Sequence, residues 1–450
     1  MKFDLNMEEV LEAWKPSDAI REVIANALDE QKITKTENIQ IYKENNAWII
    51  RDFGRGFHYS MLTQCENQEK KNHPGVIGQF GCGILDAIGV LYRHNIELKI
   101  ISKFGTIKID KCLKNQTNIE TLHAIIDQEP VNIIGTKVII NCNDDQILEA
   151  KNNFLHFENL ECLEKTAYGE VYRKTSTTSY VYVNGIKIAE EPDFMFNYNI
   201  TKLDSKIRKS LNRERKNVGR SSYTDLIQKI LNELKSYETC NILVEEFKKQ
   251  EKCDELAWKS IAFKAINLLN KANPNTVFLS EEEIMDLSDR EREILNEQGK
   301  EIFVIKDSEH SKINYTSGFN TLFSSIQEYS DSFEYEFIDY NQLNKIEREI
   351  FDTEEVIFKL LGIKYDKNLV KIAKEINPTN ISCTLGVWDS KLGNIVIARS
   401  QLQNLEDFAG TLAHELTHFT TGEDDRTREF ENGLTTTIGK LLKIILSNHK

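Results

Sequence analysis

The chain has 450 residues, of which 40% are apolar and 28% charged, and its formal net charge is -14. This length fits three or four domains, and the acidic balance argues against a general nucleic-acid scaffold, because phosphate binding needs a basic face. Eight cysteines without a Cys-x-x-Cys pair indicate reduced thiols in a cytoplasmic protein. No signal peptide and no apolar run of about eighteen residues is evident, so membrane spanning is not expected.

The first third of the chain predicts one helix followed by hairpins. Residues 17–31 open with Ser17 and Asp18, which favour a helix N-terminus, and continue with apolar residues at helical spacing. Strand-rich segments follow: a hairpin at 39–51 turning at Asn45-Asn46, a hairpin at 96–110, and a strand at 137–141. This order favours an α+β sandwich over a doubly wound fold.

The remainder predicts three further domains. A hairpin at 179–189 turns at Asn184-Gly185, and a helix at 223–234 closes the second domain. Strands at 276–279 and 302–305 flank a helix, and the chain from 345 onward is predicted to be helical except for one strand, Asn394–Ala398. The predicted domains are 1–145, 146–234, 235–335 and 336–450.

The first helix carries Glu22, Asn26 and Asp29 at i, i+4 and i+7, hence on one face. A carboxylate and an amide side by side suit a base that polarises water beside a Mg²⁺ ligand, because Mg²⁺ takes hard oxygen donors. An ordinary solvated helix face has the same composition, and for this motif alone that interpretation is the preferred one.

Two glycine motifs and a threonine follow. Asp52-Phe-Gly54-Arg-Gly56 comes directly after a strand, and its glycines permit close approach of a ligand. Gly75-Val-Ile-Gly78-Gln79-Phe80-Gly81-Cys-Gly83 precedes a helix and suits a phosphate cradle of free N–H groups at a helix N-terminus. Thr136 stands just ahead of a buried strand and offers a hydroxyl.

In this order the motifs resemble the N, G1, G2 and terminal Thr boxes of the GHKL ATPases, and Ile77–Gly81 is closest to the heat-shock-chaperone branch. The resemblance implies a Bergerat-type α/β sandwich that binds ATP and Mg²⁺. Glu22 would be the general base, Asn26 the Mg²⁺ ligand and Asp52 the partner of the adenine amino group. Residues 57–77 would form the lid. The expected nucleotide contacts also include Asp29, Gly54, Gly56, Gly78, Gln79, Phe80, Gly81, Gly83 and Thr136.

The same resemblance implies a transducer-like second domain and, in faint outline, the small α/β layer of the chaperone middle segment. Chaperone-like members complete their site with a basic residue from the second domain. The loop Ser210–Arg215 resembles that element, so Arg213 is expected to contact the γ-phosphate, with Arg215 and Lys216 as alternatives. A solvated basic loop is an equally ordinary interpretation.

Near the C-terminus, His414-Glu415-Leu-Thr-His418 is a His-Glu-x-x-His motif in helical context. Its histidines share one helix face and suit Zn²⁺, with Glu415 as base for a zinc-bound water. The alternative is a pair of histidines at the edge of a core. Glu431 is preferred as third ligand because it falls near the apolar stripe of the next helix, with Asp425 and Glu429 as alternatives. In a zincin-like domain, Asn394–Ala398 would lie where the substrate-binding edge strand does.

The leading hypothesis is therefore an ATP-dependent homodimer whose nucleotide state gates a zinc metalloendopeptidase acting on proteins or peptides. Its architecture is similar to bacterial conflict and antiphage effectors. One alternative is a chaperone-like conformational-switch ATPase with a structural or inactive metal site. Another is a DNA-associated ATPase of the MutL or MORC type, which the acidic balance disfavours.

Overall fold

The computed structural model describes residues 1–7, 11–63, 70, 73, 75–78, 83–114, 119–211, 218–313, 316, 318–376 and 384–448. The chain divides into two compact units, Met1–Leu269 and Asn270–Lys450. The predicted four-domain division is finer than this one and stays a prediction. None of the described helices is both long and apolar enough to cross a membrane.

Helices and strands alternate irregularly along the chain. The described strands are β1 (Lys2–Asp4), β2 (Gln40–Glu44), β3 (Ala47–Arg51), β4 (Leu98–Ser102), β5 (Gly105–Leu113), β6 (Glu120–Asp127), β7 (Thr136–Ile140), β8 (Cys162–Lys165), β9 (Gly169–Arg173), β10 (Ser179–Val183), β11 (Ile186–Glu191), β12 (Phe196–Ile200), β13 (Thr276–Ser280), β14 (Glu301–Ile305), β15 (Val370–Ala373), β16 (Gly386–Asp389) and β17 (Asn394–Ala398). The described helices are α1 (Pro16–Thr34), α2 (Gly83–Arg93), α3 (Asp144–Lys151), α4 (Ser205–Ser210), α5 (Thr224–Glu233), α6 (Tyr237–Lys249), α7 (Lys259–Ala272), α8 (Glu281–Asp286), α9 (Asp289–Glu297), α10 (Asp307–Ile313), α11 (Leu322–Ser332), α12 (Lys345–Phe351), α13 (Glu354–Leu361), α14 (Leu405–Thr421) and α15 (Arg428–Asn448).

The first unit begins with a seven-stranded sheet in the order β1-β6-β5-β4-β7-β3-β2, and every pairing in it is antiparallel. Helix α1 packs against α2 and α3. It starts at Pro16, one residue before the predicted start, because Pro is well suited to a first helical position. Its residues Ala19, Ile20 and Ile24 are fully buried in the core. The fold is mixed α+β, as predicted.

The hairpin turns predicted at Asn45-Asn46 and Asn184-Gly185 are confirmed. Asn45 and Asn46 have φ of 47° and 65°, and Asn184 and Gly185 have φ of 49° and 88°. Such left-handed pairs form the type I′ turns that match the twist of the flanking strands. The second turn joins β10 to β11 in a five-stranded sheet of order β11-β10-β12-β9-β8. Within it, β10 and β12 pair in parallel.

In the second unit, β13 and β14 pair in parallel, in agreement with the two strands predicted there. The expectation of a single strand near the C-terminus was wrong, because β15, β17 and β16 form a three-stranded sheet. The four-residue strands β15 and β16 are too short to give a periodic signal. The predicted strand, β17, was expected at the substrate-binding edge, but it lies between the other two strands. An edge position is held by β16 instead.

Candidate functional site

Helix α1 carries the predicted general base, Glu22, which is 4% exposed. Its Oε1 accepts hydrogen bonds from the Arg21 guanidinium at 3.1 and 3.2 Å. Its Oε2 faces the first residue of α2, and a Cβ on Gly83 would lie 2.6 Å from that oxygen. Glycine at 83 therefore lets the helix N-terminus approach the Glu22 carboxylate closely. Arg21, 2% exposed, was not singled out from the sequence.

The side chains of Asn26 and Asp29 lie against the glycine segment, defined as residues 75–78. Asp29, 1% exposed, accepts from the backbone N–H of Ile77 at 2.6 Å and of Gly78 at 2.8 Å. The Lys70 ammonium lies 2.9 Å from Asn26 Oδ1 and 3.3 Å from Asp29 Oδ2. The first and third predicted motifs are thus neighbours, and the side-chain oxygens of Asn26 and Asp29 face the Lys70 ammonium. Sequence reasoning did not identify Lys70.

Asp52 lies at the end of β3, beside the start of β7. Its N–H donates to the Thr136 carbonyl at 3.0 Å, and its Oδ1 accepts from the Gly54 N–H at 2.9 Å. Burial raises the pKa of Asp52, while hydrogen bonds from Gly54 and Thr136 oppose this shift. Gly135 has φ of +76°, and any Cβ there would collide with the Asp52 carbonyl oxygen. The second and fourth motifs therefore meet at one end of the sheet.

Glu30, one position after Asp29, organises the turn that contains the second motif. Its Oε1 accepts from the Arg55 N–H at 2.8 Å and from Arg55 Nε at 2.9 Å. A Cβ on Gly54 would collide with the Glu30 side chain, and Gly56 has φ of +87°. The glycines of this motif thus serve the turn geometry itself. Glu30 is a further residue that the sequence did not reveal.

Several predicted contacts fall outside the part of the chain that the structure describes. These are Gln79, Phe80 and Gly81 of the glycine motif, most of residues 64–74 of the expected lid, and Arg213, Arg215 and Lys216 of the basic loop.

Three side chains with metal-binding atoms meet at the C-terminal end of α14. The Nε2 atoms of His414 and His418 lie 3.3 and 3.4 Å from Asp425 Oδ1. Among described residues, these three form a group whose candidate ligand atoms lie within 4.8 Å of one another. Glu431, the preferred third ligand, is exposed on α15 and is not in this group. The loop after Gly422 brings Asp425, the alternative, to the histidines instead.

The two imidazoles are held in orientations that suit metal binding. His418 Nδ1 lies 2.7 Å from the Glu423 carbonyl oxygen, so Nδ1 carries a hydrogen and Nε2 is the atom left to bind a metal in the neutral tautomer. The Phe430 ring stacks on His418, with centroids 4.1 Å apart and an interplanar angle of 17°. Burial lowers the pKa of His414, which favours the neutral ring that a metal requires.

Glu415 lies between this cluster and the sheet. It is 6% exposed, and its Oε2 accepts from the Trp388 N–H of the edge strand β16 at 2.8 Å. A Cβ on Gly386 would lie 2.9 Å from Glu415 Cγ, so α14 packs closely on β16. Burial raises the pKa of Glu415 to about 7. A carboxyl that titrates near neutral pH is suited to accept and return a proton.

Comparison with known proteins places the chain in a family. A family model described as the Mycoplasma pneumoniae MPN635 N-terminal domain matches residues 145–237. An uncharacterized protein of Mycoplasma pneumoniae is 35% identical over 236 residues, which are 51% of this chain and 95% of the relative. The chain belongs to the family of this mycoplasma protein. A second uncharacterized mycoplasma protein is 27% identical over 347 residues, covering 70% of this chain and 97% of the relative. The range matched by the MPN635 model contains the whole β8–β12 sheet.

Proposed function

We propose that this chain is a GHKL-type ATP hydrolase whose second unit is a zinc-dependent peptidase gated by the nucleotide. The observation that supports the ATP site most directly is the pair of hydrogen bonds from Ile77 and Gly78 to Asp29. They join the acidic helix face to the glycine segment, as a shared nucleotide site requires. Glu22 lies on the same helix, α1, and faces the N-terminus of α2. Asp52 lies beside Thr136 in the sheet of the same unit.

The residues fit the expected ligands chemically. Asn26 and Asp29 present oxygens to the Lys70 ammonium, so these two oxygens together accept a positive charge. A bound Mg²⁺ would neutralise phosphate charge there. Glu22 would orient and deprotonate the attacking water, and Arg21 would hold its carboxylate in place. Asp52 would accept from the exocyclic amine of adenine.

The ATP half of the proposal is tested with Glu22→Gln, which keeps the shape of the side chain but removes the base. ATP turnover should fall by a factor of roughly 10²–10⁴ while nucleotide affinity is retained, because general base catalysis contributes about that much. Glu37→Gln, at an exposed glutamate just after α1, is the control. Equal turnover in Glu22→Gln and wild type would refute the assignment.

The peptidase half is supported by His414, His418, Asp425 and Glu415 taken together. Three protein ligands with one open position are the usual composition of a catalytic zinc site, and such a zinc lowers the pKa of bound water. Glu415 would take the proton from that water, and β16, an edge strand of the described sheet, would bind an extended peptide beside the Trp388 N–H that Glu415 occupies.

Glu415→Gln should retain zinc, measured by elemental analysis, and lose peptide hydrolysis, measured on a mixed peptide library. Glu406→Gln, at an exposed position of the same helix, should change neither property. His414→Ala should lose zinc. If the purified wild type holds no zinc yet turns over ATP, the chaperone-like switch becomes the better description and the peptidase is excluded.

A further inference from the structure

Three side chains hold the glycine segment from its two edges. Lys32 Nζ donates to the Gly75 carbonyl at 2.7 Å, and Asn184 Nδ2 donates to the Val76 carbonyl at 3.0 Å. On the opposite edge Asp29 accepts from the next two N–H groups. Lys32 and Asp29 belong to α1, whereas Asn184 belongs to the β10–β11 turn, 108 residues away from Val76.

The turn that carries Asn184 is itself firmly anchored. The Asn184 N–H donates to the Ile200 carbonyl at 3.0 Å, and the Gly185 N–H donates to Asn199 Oδ1 at 2.8 Å. Both acceptors belong to β12, whose residues are all buried. The Asn184 turn is therefore fixed to the second sheet, and the side-chain amide joins that sheet to Val76 through one hydrogen bond.

The amide of Asn184 has few other interactions. Its Oδ1 is buried, with no hydrogen-bond partner among the residues the structure describes. Val76 is 3% exposed, so water cannot readily replace the lost donor if the amide is removed. Both Asn184 and Lys32 also line a cavity of about 320 Å³.

We propose that Asn184 is a positioning residue of the phosphate-binding segment, supplied by the second sheet. By fixing the Val76 carbonyl it sets the direction of the Ile77 and Gly78 N–H groups that Asp29 binds, and so the path of the glycine segment beside the proposed nucleotide. The inference rests on the proposed ATP site and adds a route by which nucleotide binding acts on the β8–β12 sheet. Because linkage is reciprocal, a displacement of that sheet changes nucleotide affinity in turn.

The test compares Asn184→Gly with Asn45→Gly in the full chain. Glycine tolerates the left-handed backbone at both turns, where φ is 49° and 47°, and Asn45 is exposed in the β2–β3 turn. Amide hydrogen exchange is measured without nucleotide. We expect exchange at residues 77 and 78 to be about tenfold faster in Asn184→Gly, because one buried hydrogen bond is lost, and unchanged in Asn45→Gly.

The second readout is the affinity for a fluorescent ATP analogue, which should fall about fivefold to tenfold in Asn184→Gly, while the urea transition of the variant stays cooperative. Asn184→Asp keeps the turn but sets a carboxylate against the Val76 carbonyl, so it should behave like Asn184→Gly. Exchange and affinity within twofold of Asn45→Gly would overturn the inference. If the wild type binds no nucleotide, the proposed ATP site is wrong. If exchange is unchanged in Asn184→Gly, the contact between Asn184 and Val76 does not hold the segment.

Discussion

Three buried carboxylates of the first unit are stabilised in three different ways. Glu22 pairs with Arg21, Asp29 accepts two backbone N–H groups, and Asp52 is bound by Gly54 and Thr136. A buried charge is tolerated only when it is paired or hydrogen-bonded. Each partner therefore fixes the direction of its carboxylate as well as its charge, which is what a site for a polyanionic ligand and its cation needs.

Glu255 provides a prediction about stability at the residue scale. It is fully buried in the first unit, and its Oε1 accepts from the Met195 N–H and the Tyr198 hydroxyl, each at 2.8 Å. Burial raises its pKa from 4.5 to about 7. The folded chain therefore keeps a proton that the unfolded chain releases, and the free energy of unfolding falls as the pH rises from 4.5 to about 7.

Glu255→Gln is neutral at every pH and should remove this dependence. Compared with wild type it gains stability at pH 8 relative to pH 5, by roughly 3 kcal/mol at most. Urea unfolding of the full chain at both pH values measures the effect, and Glu251→Gln, at an exposed position, should keep the wild-type dependence. An unchanged pH dependence in Glu255→Gln would show that the carboxyl is ionised in the folded chain.

The residues that sequence analysis could single out are those whose own motif is local. The spacing of Glu22, Asn26 and Asp29 put them on one face of α1, but it could not reveal Lys70, which is 41 residues from Asp29 and carries no motif. Glu30 and Arg21 were missed for the same reason, since their roles come from contacts rather than from spacing. Asp425 was outweighed by Glu431 because helical periodicity does not describe a loop.

At the scale of elements, the α14–α15 pair forms the candidate metal site. Gly422, with φ of +71°, ends α14, and the intervening loop brings Asp425 back to the histidines. A Cβ on Gly433 would lie 2.8 Å from Thr417 Cγ2, so α15 approaches α14 closely at that glycine. This approach sets Phe430 on the imidazoles.

Phe430→Leu should therefore weaken zinc binding by about tenfold, because groups that orient metal ligands contribute about that much or more to affinity. The smaller side chain no longer stacks on His418. Zinc competition with a chromogenic chelator measures the change. Phe419→Leu is a matched control, since the Phe419 ring packs edge-on against Trp388 and not on the histidines. Equal zinc affinities in the two variants would contradict the orienting role.

The elements themselves were predictable to different degrees. Asparagine-rich turns specify their own backbone conformation, and both hairpins built on them were found. Strands β15 and β16 gave no periodic signal and were missed, so β17 was taken for an isolated strand. The pairing partners of a strand depend on the tertiary fold, and the position of β17 in the middle of its sheet could not follow from its sequence.

At the scale of the whole molecule, each unit has its own buried core and its own candidate site. A relative that aligns over 236 residues with 95% of its own length is too short to contain both units in full. The two candidate activities therefore need not occur together throughout the family. Their coupling has to be measured in this chain.

If the nucleotide gates the peptidase, ATP with Mg²⁺ should change the rate of peptide cleavage by at least about fivefold, the lower end of ordinary allosteric coupling. Glu22→Gln separates binding from hydrolysis: a persistent ATP effect shows that binding suffices, whereas its loss shows that turnover is needed. Asn26→Ala should abolish the response by removing the proposed Mg²⁺ ligand. Reciprocity adds an independent measurement, because a zinc-directed peptide inhibitor should then shift ATP affinity by the factor by which ATP shifts inhibitor affinity. If ATP leaves the cleavage rate unchanged and the inhibitor leaves the ATP affinity unchanged, the two sites on this chain are uncoupled.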